Sequence, residues 1–190
     1  MSMIATAEIE GARLPDDVAI SFFRNLITAG GDTTYHAFSN ILCALLTHPE
    51  QLEAVKNDRS LVPNAIAEGL RWESPVGLIS RTPTHTVELC GVAIHPGNHI
   101  QIILPAANRD PGEFERPDEF DISRKGRAHI AFGHGPHICI GQHLARLEMV
   151  HALNALLSRL PKLRLDESMP LPEVSGLMLR GPAALPVRFD

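Results

Sequence analysis

From Asp16 to about Leu46 apolar residues recur at helical spacing over a run longer than most globular helices. Pro15-Asp16-Asp17 opens the run, with a proline before the first turn and two acids where the helix dipole favours negative charge. Apolar residues fall on most faces, which predicts a helix buried on nearly all sides. Pro49 opens a second, shorter helix through about Asn57. A third begins near Pro63 and runs to about Trp72, where Ser74-Pro75 stops it. Over residues 84–104 the period changes: Thr86, Val87 and Leu89, then Val92 and Ile94, then Ile100, Ile102 and Ile103. Gly91 and Pro96-Gly97 separate these runs, which predicts short antiparallel strands. Residues 105–138 are rich in proline, glycine and charge, and a loop of that length is more often functional than idle. An amphipathic helix is predicted from Ile140 to about Leu160, ended by Pro161, with strand-like pieces around Leu177–Leu179 and Leu185–Phe189 in the tail. The chain therefore reads as one unit, residues 1–190, mainly α with a minor antiparallel β component and no internal linker.

Composition narrows the function classes. The longest unbroken apolar stretch, Ile41–Leu46, is far too short to cross a bilayer, and no basic region followed by an apolar run marks a signal peptide, so a cytoplasmic protein with no membrane association is expected. A net charge of −5 with mixed signs argues against nucleic acid as a partner. Three scattered cysteines, Cys43, Cys90 and Cys139, read as reduced thiols rather than a disulfide framework.

The most informative segment is Phe132-Gly133-His134-Gly135-Pro136-His137-Ile138-Cys139-Ile140-Gly141. Glycines on both sides of Cys139 allow tight turns close to a ligand. Placed at the N-terminus of the 140–160 helix, the thiol would be drawn toward thiolate by free N–H groups and the helix dipole. Such a thiolate suits one metal bond. Two alternatives stand beside it on spacing alone: a buried inert cysteine, and a zinc site drawing on His134, His137, Cys139 and His143. Covalent c-type haem attachment is excluded because Cys-x-x-Cys-His is absent.

The run from Phe132 to Gly141, continued by Leu144-Ala145, resembles the haem signature of the cytochrome P-450 family, Phe-Gly-x-Gly-x-His/Arg-x-Cys-x-Gly. The resemblance implies that Cys139 is the proximal ligand of a haem b iron, that His137 hydrogen-bonds a propionate, and that Phe132 packs beside the iron–sulfur bond with Gly141 in the same cofactor-binding set. Glu68-Gly69-Leu70-Arg71 is similar to the family's structural Glu-x-x-Arg pair. The third partner usually expected from the segment Phe114–Phe120 is missing, because Glu119 stands where arginine or histidine is common; Arg124 is a substitute. Ala29-Gly30-Gly31-Asp32-Thr33-Thr34 resembles the oxygen-activation motif, which implies that Thr33 hydrogen-bonds dioxygen or a water and that Asp32 feeds a proton relay. Its alternative is a packing notch where another helix comes close. Arg81 resembles an arginine that pairs with a propionate. Leu26, Ile27, Val76–Ile79, Leu177 and Met178 are expected to face an apolar substrate.

The resemblance covers about residue 5 to Asp190 and implies the C-terminal part of the fold, with a complete C-terminus and the N-terminal half absent. What it implies is a haem-thiolate monooxygenase acting on a hydrophobic small molecule with dioxygen. Electrons would come from a ferredoxin or flavin reductase docked near Arg124, Lys125, Arg127 and Arg146. A truncated haem-binding fragment without turnover and a zinc-stabilised domain remain as alternatives. The long helix, lacking half its surroundings, is expected to leave apolar surface for an oligomer or an N-terminal-half partner.

Overall fold

A computed structural model of the chain describes residues 6–125 and 128–190. It is helical with small antiparallel β-pairs, matching the fold class expected. After a hairpin of β1 (Glu8–Ile9) and β2 (Ala12–Arg13), α1 runs over Asp16–Thr47. Thr47 returns its hydroxyl to the Cys43 and Ala44 carbonyls, His48 leaves helical geometry, and Pro49 starts α2 (Pro49–Asn57) in a new direction. A 3₁₀ turn at Arg59–Leu61, held by the Asp58 side chain accepting from Ser60 N–H at 2.9 Å, feeds α3 (Val62–Trp72).

Four strands follow. β3 (Leu78–Arg81) pairs antiparallel with β6 (Ile100–Ile103), and β4 (Val87–Leu89) with β5 (Val92–Ile94). The strands expected over 84–104 do not include β3, whose partner β6 lies about twenty residues further along the chain. After α4 (Leu104–Ala107) comes the long loop, then α5 (Gln142–Arg159). The tail forms β7 (Arg164–Leu165) paired with β10 (Val187–Arg188), and β8 (Val174–Ser175) paired with β9 (Gly181–Pro182). Leu177–Leu179, read as a strand, is instead the turn of the β8–β9 hairpin, with only Leu179 bridged to Val76.

The core lies where α1, α3 and α5 meet. Ile41 and Leu45 of α1 pack with Ile66 and Leu70 of α3 and with Met149, Leu153 and Leu157 of α5. Gly69 permits the closest approach: a Cβ there would lie 2.5 Å from Ile41 Cγ1. Two amphipathicity expectations need correction. α1 is buried only in its second half, from Ala37 onward; Phe22 is 47% and Ile27 65% exposed. Val18, Ile20 and Leu26 of its first half are likewise exposed. α5 buries a single i, i+4, i+8 stripe, while Leu144 and Leu147 are exposed on other faces.

One buried cluster fastens the long loop to this core. Arg71, at 2% exposure, donates from Nε and Nη2 to the two carboxylate oxygens of Glu68, both at 2.8 Å. Its remaining N–H groups reach the carbonyls of Asn108 (3.0 Å), Pro117 (2.8 Å) and Glu119 (2.9 Å). All five guanidinium donors are thus used. Glu68 also accepts from Asp121 N–H at 2.9 Å and from Arg124 Nε at 3.1 and 3.2 Å. Arg124 is the third partner, reaching Glu68 from the middle of the loop, and its guanidinium also caps the carbonyls of Glu115, Arg116 and Glu119. Gln51 adds a second tie, donating to Phe120 O and accepting from Ile122 N–H at 2.8 Å.

Two outcomes follow in urea or thermal unfolding. Arg71→Lys cannot serve five acceptors from one ammonium, so it is expected to cost about 3–5 kcal/mol, as for a broken buried pair; a loss under about 1 kcal/mol would contradict the cluster's role. Gly69→Ala is expected to destabilise by about 1–3 kcal/mol through overpacking against Ile41.

Candidate functional site

A cavity of about 530 Å³ opens between three segments. α1 contributes Ile27, Ala29, Gly30, Gly31, Thr33, Thr34 and Ala37. The α3–β3 connection and β3 contribute Pro75, Val76, Ile79 and Arg81. The third wall is the cysteine loop and the start of α5, with Phe132, Gly133, His137, Cys139, Gly141, Leu144 and Ala145. Its size and largely apolar lining with a few polar groups suit a small-molecule or cofactor site.

The cysteine loop owes its shape to left-handed backbone at Gly133 (φ 76°) and Gly135 (φ 80°), positions that a Cβ would strain. Between them and the cysteine lies a 3₁₀ turn, Gly135–His137, closed by Ile138 N–H donating to Gly135 O at 3.0 Å. Cys139 N–H then donates to Phe132 O at 2.9 Å, which brings the thiol and the Phe132 ring to the same wall. Cys139 is an exposed free thiol. The sequence reading started the helix at Ile140. The helix begins at Gln142, with Gly141 as its N-cap residue, so Cys139 precedes the first turn rather than opening it.

Of the residues singled out from sequence, Thr33, Arg81, Phe132, His137, Cys139 and Gly141 share this one cavity. Glu68 and Arg71 lie behind it in the buried cluster. Asp32 is exposed and outside the lining. Thr33 Oγ1 donates to Ala29 O at 2.6 Å, so its proton serves the helix backbone while its lone pairs remain as acceptors. Arg81 Nη1 donates to its neighbour's carbonyl, Ser80 O, at 2.8 Å. Of the expected substrate-facing residues, Ile27, Val76 and Ile79 line the cavity, whereas Leu26, Gly77, Leu78, Leu177 and Met178 do not.

Gly30 and Gly31 bear on the packing-notch reading of the α1 motif. A Cβ at either position meets nothing within 4 Å, so no other helix among the described residues packs into a notch there. Both glycines face the cavity. The zinc alternative finds no support in geometry: among the described residues no three of His, Cys, Asp and Glu converge to hold a metal ion.

Two side chains beside the cavity wall, Asn108 and His129, escape the sequence reading, and a third, Arg146, is expected there only as a docking contact. Buried Asn108 donates to Ser74 Oγ at 2.8 Å and accepts from Ile130 N–H at 2.9 Å, tying the start of the long loop to the segment leading into the cysteine turn. His129 accepts from Ala131 N–H at 3.2 Å and packs its ring against Phe132, 5.7 Å between centroids. Arg146 of α5 lies over the Phe132 ring, 4.4 Å from its centroid. No local pattern marks Asn108, because its partners Ser74 and Ile130 are distant in sequence.

Of the basic residues offered as docking contacts, Arg124 is committed internally to Glu68 and three carbonyls, which leaves Lys125 and Arg146; Arg127 lies outside the described residues. Among the described residues no helix is long and apolar enough to cross a membrane.

Burial, with the Arg146 and Arg71 charges adding to it, pushes the His129 pKa down from 6.5 to about 4. The folded state therefore holds His129 neutral where the unfolded chain would bind a proton. Its contribution to stability is full above pH 6.5 and is lost as pH falls from 6.5 toward 4. Urea midpoints measured across this window are expected to fall in the natural chain and to fall less in His129→Gln; parallel slopes would contradict the assignment.

Three comparisons bear on the chain as a whole. The family model for cytochrome P-450 matches residues 2–184. The biotin biosynthesis cytochrome P-450 of Bacillus subtilis (strain 168) is 43% identical over 158 residues, covering 83% of this chain and 40% of that protein. The cytochrome P-450 monooxygenase PikC of Streptomyces venezuelae is 40% identical over 190 residues, covering 99% of this chain and 46% of PikC. The chain thus spans under half the length of these curated relatives. Among solved structures, CYP109E1 from Bacillus megaterium in complex with testosterone superimposes with a TM-score of 0.92 at 33% identity, covering all of this chain and 52% of that one. A family match over residues 2–184, a stretch that includes the cysteine loop walling the cavity, places this chain in the cytochrome P-450 family.

Proposed function

We propose that the chain is the haem-binding part of a haem-thiolate monooxygenase. It would insert one atom of dioxygen into an apolar organic molecule and reduce the other atom to water. The observation that carries the reading is the convergence of Cys139, His137, Arg81, Phe132 and Thr33 on one cavity whose α1 wall is bare at Gly30 and Gly31. The donor set fits haem b: one free sulfur for iron, two cationic or donor side chains for two propionates, and apolar walls for the porphyrin faces.

When bound, the haem supplies the activation of dioxygen. The chain's own residues do the rest. Cys139 holds the iron as thiolate. Phe132, in contact with Arg146 and His129, would pack beside the iron–sulfur bond. His137 and Arg81 take the propionates, for which guanidinium geometry is suited. Thr33 accepts a hydrogen bond from a water through its free lone pairs and so fixes the point of proton entry, with Asp32 as proton source from the exposed side. Each turnover consumes dioxygen, two electrons and two protons for each C–H bond hydroxylated, and releases water. The electrons come from a ferredoxin or flavin reductase, met at the surface carrying Lys125 and Arg146.

An apolar substrate is supported by Ile27, Val76 and Ile79 in the lining and by the testosterone held in one matched structure. A second reading, haem binding without turnover by this chain alone, draws on the uncovered first half of α1 together with the coverage of under half of each curated relative. That face is fitted to an N-terminal-half polypeptide or a second copy.

Reconstitution with haemin, reduction under carbon monoxide and a Soret spectrum test the proposal. A strongly red-shifted thiolate–CO band is expected, and its loss in Cys139→Ala. A band typical of imidazole ligation, or one unchanged in the variant, would overturn it. Product formation with a reductase then separates the two readings.

A further inference from the structure

Pro75 and Val76 line the cavity, yet their backbone is held from behind by the tail. Gly77 N–H donates to Met178 O at 2.9 Å, Arg180 N–H donates to Pro75 O at 2.8 Å, and Val76 bridges to Leu179. The contact is backbone against backbone: a Cβ on Gly77 would stand 1.9 Å from Leu177 O. The hairpin doing this has only two paired residues in each strand, β8 with β9, and such a ribbon is marginal by itself. Its shape must therefore be fixed by something else.

Arg180 supplies the fixture. Its Nη2 meets Glu73 Oε2 at 3.0 Å, its Nη1 spans the hairpin to Gly176 O at 3.0 Å, and its Cδ lies 3.2 Å from where a Gly77 Cβ would be. Glu73 is held from its other oxygen by Arg109 at 3.0 Å, whose guanidinium stacks on Trp72 at 4.0 Å. Asn40, buried on α1, donates its amide to both Glu73 O (3.0 Å) and Arg180 O (3.1 Å). Both Arg180 and Glu73 are mostly shielded, at 24% and 18% exposure, so the pair escapes much of the screening that weakens surface ion pairs.

We propose that Arg180, held by Glu73, is a positioning residue that sets where the Pro75–Val76 wall stands and thereby how bulky an apolar group the cavity admits. The specificity half of this rests on the haem reading above; the brace itself does not.

Amide hydrogen exchange on the full chain reads the brace without haem. In Arg180→Met, which keeps the stem and removes the charge, the amides of residues 76–79 are expected to exchange at least tenfold faster. Residues 65–70 and 149–157 of the core should be unchanged, and Arg180→Lys should restore part of the protection. Glu73→Gln is expected to reproduce the contrast and decides the question if the methionine variant does not fold. No acceleration at 76–79, or equal acceleration in the core, overturns the brace.

On haemin-loaded protein, Soret titrations with imidazole and 4-phenylimidazole read specificity. Arg180→Met is expected to leave the imidazole Kd within twofold and to change the 4-phenylimidazole Kd at least fivefold. An unchanged ratio with the brace loosened overturns the specificity claim. Refusal of haemin by the natural chain sinks the functional reading instead, while the exchange result stands.

Discussion

The carboxylate of Glu68, buried at 5% exposure between two arginines, is the constraint on which the rest of the site depends. A charge taken out of water is tolerable only if every donor and acceptor around it is matched. Here the match is made with backbone carbonyls of Asn108, Pro117 and Glu119, and with the N–H of Asp121, all in a loop of little regular structure. The ion pair thereby converts that loop from a flexible connection into a fixed one. Asn108 extends the fixing to Ile130, two residues before Phe132, from which the cysteine turn is built. Ion pair, loop and thiol form one chain of contacts, and the α1–α3 packing at Ile41 and Gly69 keeps α3 in place beneath it.

Elements with strong punctuation were legible in the sequence. Acids and proline at the start of α1, proline at the starts of α2 and α3, and Ser74-Pro75 after α3 mark those helices closely, because such residues act locally on backbone geometry. Where the deciding partner was distant, the reading fell short. β3 exists because it pairs with β6, not because four residues declare a strand. The turn at Leu177–Leu179 is shaped by contact with residues 75–77, about a hundred positions away. Glu68 and Arg71 at i and i+3 are an ordinary helical pair by spacing; only their burial, with Arg124 arriving from the loop, distinguishes them. His129 and Asn108 carried no local signal at all.

The long first helix shows the same division. Its length and apolar content were readable, but not how much of it this chain covers. Burial on all sides holds only from Ala37 onward, and the exposed first half is the portion that carries the Gly30-Gly31 wall. The cavity is therefore bounded by α1, the α3–β3 connection and the cysteine loop.

Whether the Cys139 sulfur takes the iron is testable by its reactivity, since the chain carries its own controls: Cys90 is exposed and Cys43 is buried. Iodoacetamide labelling followed by peptide mass spectrometry, with and without haemin, reads all three thiols at once. Haemin is predicted to slow alkylation of Cys139 at least tenfold while Cys90 reacts as before and Cys43 stays protected. Equal labelling of Cys139 in the two states would contradict the account.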